Sequence, residues 1–376
     1  MNSKSIRKRN TALIFHAIRH RPGISQAMLR STTPIDRSTI SAVVHQLEAD
    51  GLLRRSRGKA GYGMGRPEDV LNIEPDAGLL LGFAELPSRR IRIVVAGLDG
   101  AMRATLDSNA SRHSLELEIR SLLPELLQRA GAIGTTVRGA GLLLSGPQAA
   151  RDEVLAASLI DSATVNNLED RLGCPVKVAT EIQGYTLAER YEGSASGLNN
   201  FIYVHTDELV RGALFLDGRL HQGLAGMTDR FGHVVVEPHG RMTDAGARGA
   251  LNAYASRVAI LERLSEFGRH YRNLDDAGAA ASNNDALVKT VLAETGSYLG
   301  VALANAINLL DIGNVILGGD LARLSAHLMP AIHDMILRDV VGPLGREAIV
   351  RPSQLDTDPL SSGALALAME SFLPLS

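Results

Sequence analysis

Through the first fifty residues, apolar side chains recur every three to four positions; beyond residue 75 they gather instead into short runs separated by helical stretches. In SIRKRNTALIFHAIRH the residues Ile6, Leu13, Ile14, Ala17 and Ile18 stand at helical spacing. ISQAMLRSTT reads as a second, short helix that Ser25 can cap. After the turn at Thr33-Pro34, Asp36 is placed to cap RSTISAVVHQLEAD and Gly51 to stop it. In this third helix Ile40, Val43, Val44 and Leu47 make an inward stripe, leaving Arg37, Ser38, Ser41, Ala42 and His45 on the opposite face. GLLRRSRGKAGYGMGRPEDVLNI then reads as two short strands around an arginine-rich loop.

Around Glu74-Pro75-Asp76 the texture changes. GLLLGFAE and RIRIVVAGLDG predict a strand pair with a turn at Asp99-Gly100. A helix at LELEIRSLLPELLQRAG, a buried strand at GAGLLLSGP, a helical stretch over 163–172, the strand PVKVAT and the helix GYTLAERYEG follow. Next come a second strand pair, NFIYVHT and RGALFLDGRL, the helical YASRVAILERLSEF and SYLGVALANAINLLD, and the strand NVILGGD. Strands alternating with helices predict an α/β body with covered sheets. Residues 268–286, rich in Asn, Asp and Ala, predict a surface loop or linker, and there is no internal repeat beyond two similar α/β halves.

Composition narrows the function classes. The 376 residues allow two or three domains, and no apolar run approaches the roughly 18 residues a membrane helix needs. The apolar stretch after MNSKSIRKRN is interrupted by His16, Arg19 and His20, unlike a secretion signal, so a cytoplasmic location is expected. A single cysteine, Cys174, excludes an internal disulfide and a cysteine-built metal cage; before Pro175 at a strand start it reads as a small buried hydrophobe. The net charge of −2 conceals a division: residues 1–70 hold 13 Lys and Arg against 5 Asp and Glu, the remainder 26 against 36. A basic head on an acidic body fits a head that binds a polyanion.

The order of elements in that head, with its exposed third helix and basic wing, is winged helix-turn-helix geometry. Arg37, Ser38, Ser41 and His45 are the candidates for the major groove, and Arg54, Arg57, Lys59 and Arg66 for phosphates or the minor groove. The alternative is a three-helix packing module with solvated charges.

The later motifs resemble the ROK family of sugar-responsive repressors and sugar kinases. GLAGMTDRFGHVVVEPHGRMTDAGARGALNAYAS is similar to the family's G-x-x-G-x-A-G-E-x-G-H stretch and the zinc loop that follows it, ending in the same Tyr254-Ala255-Ser256. The head, with GRP in its wing and LNIEPDAG after it, resembles the repressor branch. The resemblance implies an N-terminal winged helix-turn-helix domain (1–74) on an actin-like, ribonuclease-H-like body. The body's first lobe would span 75–184, completed by the C-terminal helix 358–376, and its second 185–357 with an oligomerisation surface for a homodimer or homotetramer.

Where this chain departs from the family pattern, the chemistry departs too. The family's zinc-binding histidine falls on His233, but its three cysteines fall on Thr243, Ala245 and Ala250, too few donors for zinc. No metal and no cofactor are expected, with apolar packing in the metal's place. The first phosphate loop falls on ELPSRR, where Pro87 lacks an amide and Arg89 is bulky; the second falls on Asp207–Arg211. The catalytic Asn-Asp pair falls on Thr180-Glu181, so no enzymatic activity is expected. The sugar contacts map to Glu181, Arg230, His233 and Asn252, with Gly146 in the SGP loop walling the cleft; Arg230 would suit an anionic ligand. The expected function is a DNA-binding regulator, most simply a repressor, with double-stranded DNA and a small carbohydrate-like or anionic effector as partners and no membrane. A regulator governed by a protein partner and a sugar kinase are the alternatives.

Overall fold

The recognition-type helix is delimited by its own side chains. The Asp36 carboxylate accepts the Thr39 amide hydrogen at 3.0 Å, and at the other end Gly51 takes a φ of +70°. There the Gly51 and Leu52 amides close back on the Glu48 and Leu47 carbonyls at 3.0 and 2.9 Å, a Schellman stop. The Ser25 hydroxyl likewise caps the preceding helix by accepting from the Met28 amide at 3.3 Å. These features come from a computed structural model that describes residues 3–57, 69–86, 90–108, 115–144, 162–222, 230–355 and 358–375.

The head runs α1 (Ser3–His20), β1 (Ile24–Ser25), α2 (Gln26–Thr32), α3 (Arg37–Ala49), β2 (Leu53–Arg57) and β3 (Asp69–Ile73). Its antiparallel sheet has the order β1-β3-β2, with Ile24 opposite Leu71 and Leu53 opposite Ile73. The predicted α3 stripe of Ile40, Val43, Val44 and Leu47 is buried as a unit. The stripe read for α1 needs correction: Ala12, Ile14, Phe15 and Ile18 are buried, whereas Ile6 is exposed and Leu13 and Ala17 are half-buried. Residues 6–9 at the start of the helix are all exposed, so apolar spacing overstates burial at Ile6.

The head shares one compact unit with β4 (Leu79–Glu85), β5 (Ile91–Gly97), β6 (Met102–Asp107), α4 (Leu115–Arg129), β7 (Val137–Leu144), α5 (Ser162–Leu172), β8 (Val176–Thr180), α6 (Glu181–Tyr191) and the C-terminal α14 (Pro359–Phe372). Its sheet order is β6-β5-β4-β7-β8; β5 is antiparallel to β4 and β6, and β7 is parallel to β4 and β8. The unit runs through Tyr191 and so contains the whole of α6, all eleven of whose residues are buried.

The second unit repeats that plan. It contains β9 (Phe201–Thr206), β10 (Val210–Leu216), β11 (Arg219–Leu220), α7 (Asn252–Ala255), α8 (Arg257–Glu266), α9 (Leu274–Ser282), α10 (Ala286–Leu310), β12 (Asn314–Gly319), α11 (Asp320–Arg323), α12 (Ser325–Asp339), α13 (Leu344–Glu347) and β13 (Ile349–Pro352). The sheet order is β11-β10-β9-β12-β13, with the same split into an antiparallel and a parallel side. Two sheets of one topology make the duplicated ribonuclease-H-like body of the actin type. The linker expected over 268–286 is corrected: α9 occupies its middle. Asn273 caps α9 by accepting the Asp276 amide at 2.8 Å, and Leu274, Ala277 and Ala281 bury one face. Small residues hid this stripe, because alanine is a weak hydrophobic signal but an excellent helix former. Cys174 is half-buried, less enclosed than its position suggested, and burial together with Glu169 pushes its thiol up. Among the described residues no helix is long and apolar enough to cross a membrane.

Candidate functional site

On α3 the residues Arg37, Ser38, Ser41, Ala42 and His45 are all exposed, directly opposite the buried stripe. Ser38 donates its hydroxyl hydrogen to Asp36 at 2.5 Å, which leaves its oxygen lone pairs free to accept. These hydrogen bonds from Ser38 and Thr39 hold the Asp36 carboxyl well below the usual carboxylate range, so the cap is charged at neutral pH. Behind the helix, Arg54 and Arg57 on β2 are exposed, Arg54 lying 3.9 Å from Glu74. Arg55 between them is committed: it grips Glu48 of α3 through two bonds of 2.8 and 2.9 Å and lies 3.6 Å from Asp69. It fastens the wing to the helix. Lys59 and Arg66 lie outside the described residues.

In the second unit, the loop from Glu237 to Leu251 is shaped by its backbone. The Gly249 amide donates to the Arg241 carbonyl at 2.7 Å, and the Gly249 carbonyl accepts from the Val236 and Glu237 amides at 2.9 and 3.2 Å. Thr243 closes the tip, accepting the Ala247 amide on its hydroxyl at 3.0 Å and donating its own amide to the Ala247 carbonyl at 2.9 Å. Tyr254 anchors the base: its hydroxyl accepts the Arg241 amide at 2.7 Å and its ring stacks on Tyr298 with centroids 3.9 Å apart. Thr243 thus performs turn chemistry, and Ala250 is buried with its backbone bridged to Val235. Ala245, by contrast, is exposed at the tip, so the apolar packing expected there involves Ala250 only. Thr243, Ala245 and Ala250 offer no thiolate, imidazole or carboxylate beside His233, so the residues at the family's zinc positions do not suit that ion.

Beside this loop is a cavity of about 220 Å³ whose walls include His233, Thr243, Asp244, Asn252, Glu208 and Glu262. Two of the predicted ligand residues, His233 and Asn252, therefore share one cavity. Asn252 is buried and its carbonyl oxygen accepts the Val210 amide at 2.7 Å, which commits one of that oxygen's two lone pairs. Arg230 is exposed ahead of the short 3₁₀ turn Phe231–His233 and does not line this cavity. Glu181 is buried at the start of α6 in the other unit. Gly146, and with it Pro87 and Arg89 of the first phosphate-loop position, lies outside the described residues.

The second phosphate-loop position is closed by ion pairs of its own. Arg211 pairs with Asp207, whose carboxylate also accepts the Leu209 amide at 3.2 Å. Close by, buried Asp320 accepts from Arg257 at 2.8 and 3.3 Å and from Arg323, which in turn donates to Asp275 at 2.7 Å. Burial raises the Asp320 carboxyl despite these arginines. His205, also buried, is pushed down to about 4, first by burial and then by Arg211, Arg323 and Arg257, with Asp207 acting the other way. Reading the sequence missed this group. Arg257 and Asp320 are 63 residues apart, and NVILGGD signals only a strand and a glycine turn.

A winged helix-turn-helix head on a duplicated ribonuclease-H-like body defines the class: a DNA-binding type of head joined to a sugar-kinase-type body. Residues 88–371 match the ROK family, and residues 8–60 match the MarR family. The chain belongs to the ROK family. It is 22% identical to the xylose repressor of Bacillus subtilis (strain 168) over 98% of this chain and 97% of that one. It is 29% identical to the N-acetylglucosamine repressor of Escherichia coli O157:H7 over 56% of this chain and 53% of that one. A ROK family transcriptional regulator, described as a homologue of the E. coli Mlc protein, has the same fold with a TM-score of 0.78 at 21% identity, covering 98% and 97% of the two chains. The ROK hexokinase from Thermus thermophilus matches with a TM-score of 0.64 at 21% identity, over 78% of this chain and 98% of its own.

Proposed function

We propose that this chain is a DNA-binding transcriptional regulator of the repressor type that answers to a small, hydroxyl-rich ligand. The observation that carries the DNA-binding part is the α3 face: five exposed residues, small or basic, opposite a fully buried stripe, in a helix capped at both ends. The naming of its relatives as xylose and N-acetylglucosamine repressors supports a sugar-class ligand. The cavity at His233 and Asn252 supports a neutral one. Glu208, Asp244 and Glu262 line it, and Arg241, which lines it as well, has its guanidinium paired with Glu266. Three carboxylates accept sugar hydroxyls and repel an anion. Its volume of about 220 Å³ lies below that of drug-sized ligand sites, as a single sugar ring requires.

Catalysis is not part of this reading. Where the kinases carry an Asn-Asp pair this chain has Thr180 and Glu181, the Thr180 amide is taken by the Gln183 side chain at 3.1 Å, and Asp207 and Arg211 occupy the second phosphate-loop position. The regulator acts in the cytoplasm, where its DNA is, as a homodimer or homotetramer that doubles the recognition helix along a two-fold operator. The test has two arms. Selection from a random duplex pool should enrich one sequence that loses affinity on Arg37→Ala. A melting screen over D-xylose, N-acetylglucosamine, sugar acids and sugar phosphates should show stabilisation by a neutral sugar, growing with its concentration. No enriched duplex overturns the regulator; stabilisation confined to sugar phosphates overturns the neutral ligand.

A further inference from the structure

The contact of α1 with the body is built from side chains that a merely tethered head has no use for. His16 is 3% exposed; its Nε2–H donates to the Leu373 carbonyl at 3.1 Å, which leaves Nδ1 buried and without a partner among the described residues. That arrangement fixes one neutral tautomer, and burial holds the imidazole well below its ordinary range. The His16 ring lies 4.8 Å from the Tyr191 ring, and Phe15 packs edge-on against Phe372 at 6.0 Å. Tyr191 donates its hydroxyl hydrogen to Glu370 of α14, whose carboxylate also takes Lys177 Nζ and the Leu375 amide, both at 3.3 Å. Histidine, tyrosine and glutamate are costly to bury, and each here depends on a directional partner.

Tyr191 is the last residue of α6, and Glu181 is its first. Eleven residues make a rod of about 16 Å. With every residue buried and α14 packed along its side, α6 has no exposed face to bend toward and moves as a body. On the far side of the contact, α1 packs on α3, the helix that carries Arg37, Ser41 and His45. A helix displacement of 1–2 Å is the ordinary size of a regulatory shift, and it is enough to break the Tyr191–Glu370 bond or the His16–Leu373 bond.

We propose that Tyr191, His16 and Glu370 are positioning residues through which α6 carries a change at Glu181, the candidate ligand residue of this unit, into the DNA-binding head. The inference rests on the regulator reading, because it needs both a ligand residue at one end of α6 and an operator at the other. Intermediate position alone does not establish coupling; non-additivity does. The experiment measures affinity for a duplex selected by the wild-type protein, in Glu181→Gln, Tyr191→Phe, His16→Leu and the two double variants that include Glu181→Gln. Glu181→Gln should change operator affinity by about fivefold or more, the low end of allosteric coupling. In the Tyr191→Phe or His16→Leu background the same substitution should change it less than about twofold, a clear departure from additivity. A shift of equal size in all three backgrounds, or none from Glu181→Gln, overturns the link while leaving the regulator standing. Failure to select any duplex overturns both. His16→Leu keeps apolar volume and Tyr191→Phe keeps the ring, so one of the two backgrounds suffices if the other does not fold.

Discussion

Gly249 tests whether backbone geometry holds the body's binding loop. It has a φ of +68°, and a Cβ there would overlap the Glu237 carbonyl oxygen. Gly246, three residues away at the loop tip, has a φ of +80° with open space around it. Alanine at Gly246 therefore pays only for the left-handed conformation, about 1 kcal/mol. Alanine at Gly249 incurs the same cost and must also move the loop segment that carries Glu237. That motion breaks at least two of the three hydrogen bonds made by Gly249, at about 1 kcal/mol each. The expected total is about 3 kcal/mol, so local opening should rise about thirtyfold more in Gly249→Ala than in Gly246→Ala. Amide hydrogen exchange over residues 234–254 reads this directly, with the rest of the second unit as internal reference. Accelerated exchange should appear at Val236, Glu237 and Gly249, with loss of ligand binding in the adjacent cavity. Equal exchange in the two variants would refute the reasoning, since it would mean that the close approach at Gly249 does not shape the loop.

Other expectations follow from the same structure. Arg37→Ala should cost about 1–3 kcal/mol of operator affinity with relaxed specificity at one base pair, whereas Arg57→Ala should weaken all duplexes alike and flatten the salt dependence; equal loss on operator and random duplex by Arg37→Ala would remove it from the base-reading set. Dialysis against a chelator should leave the melting temperature unchanged, and elemental analysis should find less than one zinc per chain; a zinc that survives dialysis would show that donors other than Thr243, Ala245 and Ala250 hold it. His205 is neutral in the fold at about 4 against about 6.5 when unfolded, so its contribution is complete above pH 6.5 and is lost as pH falls toward 4, by up to about 3 kcal/mol. His16 acts in the same direction in the first unit, and denaturant midpoints that do not fall between pH 7 and pH 5 would contradict both.

The repeating pattern of apolar residues, the caps at Ser25 and Asp36 and the stop at Gly51 were legible because each is a local matter, decided within one helical turn of the residue concerned. The exposed face of α3 could be read for the same reason: once four positions of a helix are buried, geometry assigns the others. The departure from the zinc pattern was equally plain, since ligands are a question of residue type and Thr243, Ala245 and Ala250 lack the chemistry. The tertiary structure alone decided what depends on distant partners. It set Arg55 to fasten the wing, occupied Asn252 with the Val210 amide, and left Arg230 outside the cavity of His233. It found a helix in 268–286, where the hydrophobic signal of alanine was too weak to be seen without the surface it packs on. It joined Arg257 to Asp320, and His16 to Tyr191 and to the main chain at Leu373, across 63, 175 and 357 residues of sequence. Spacing along a chain reports which side of a helix a residue occupies; which residue faces it from another element is fixed only when the elements pack.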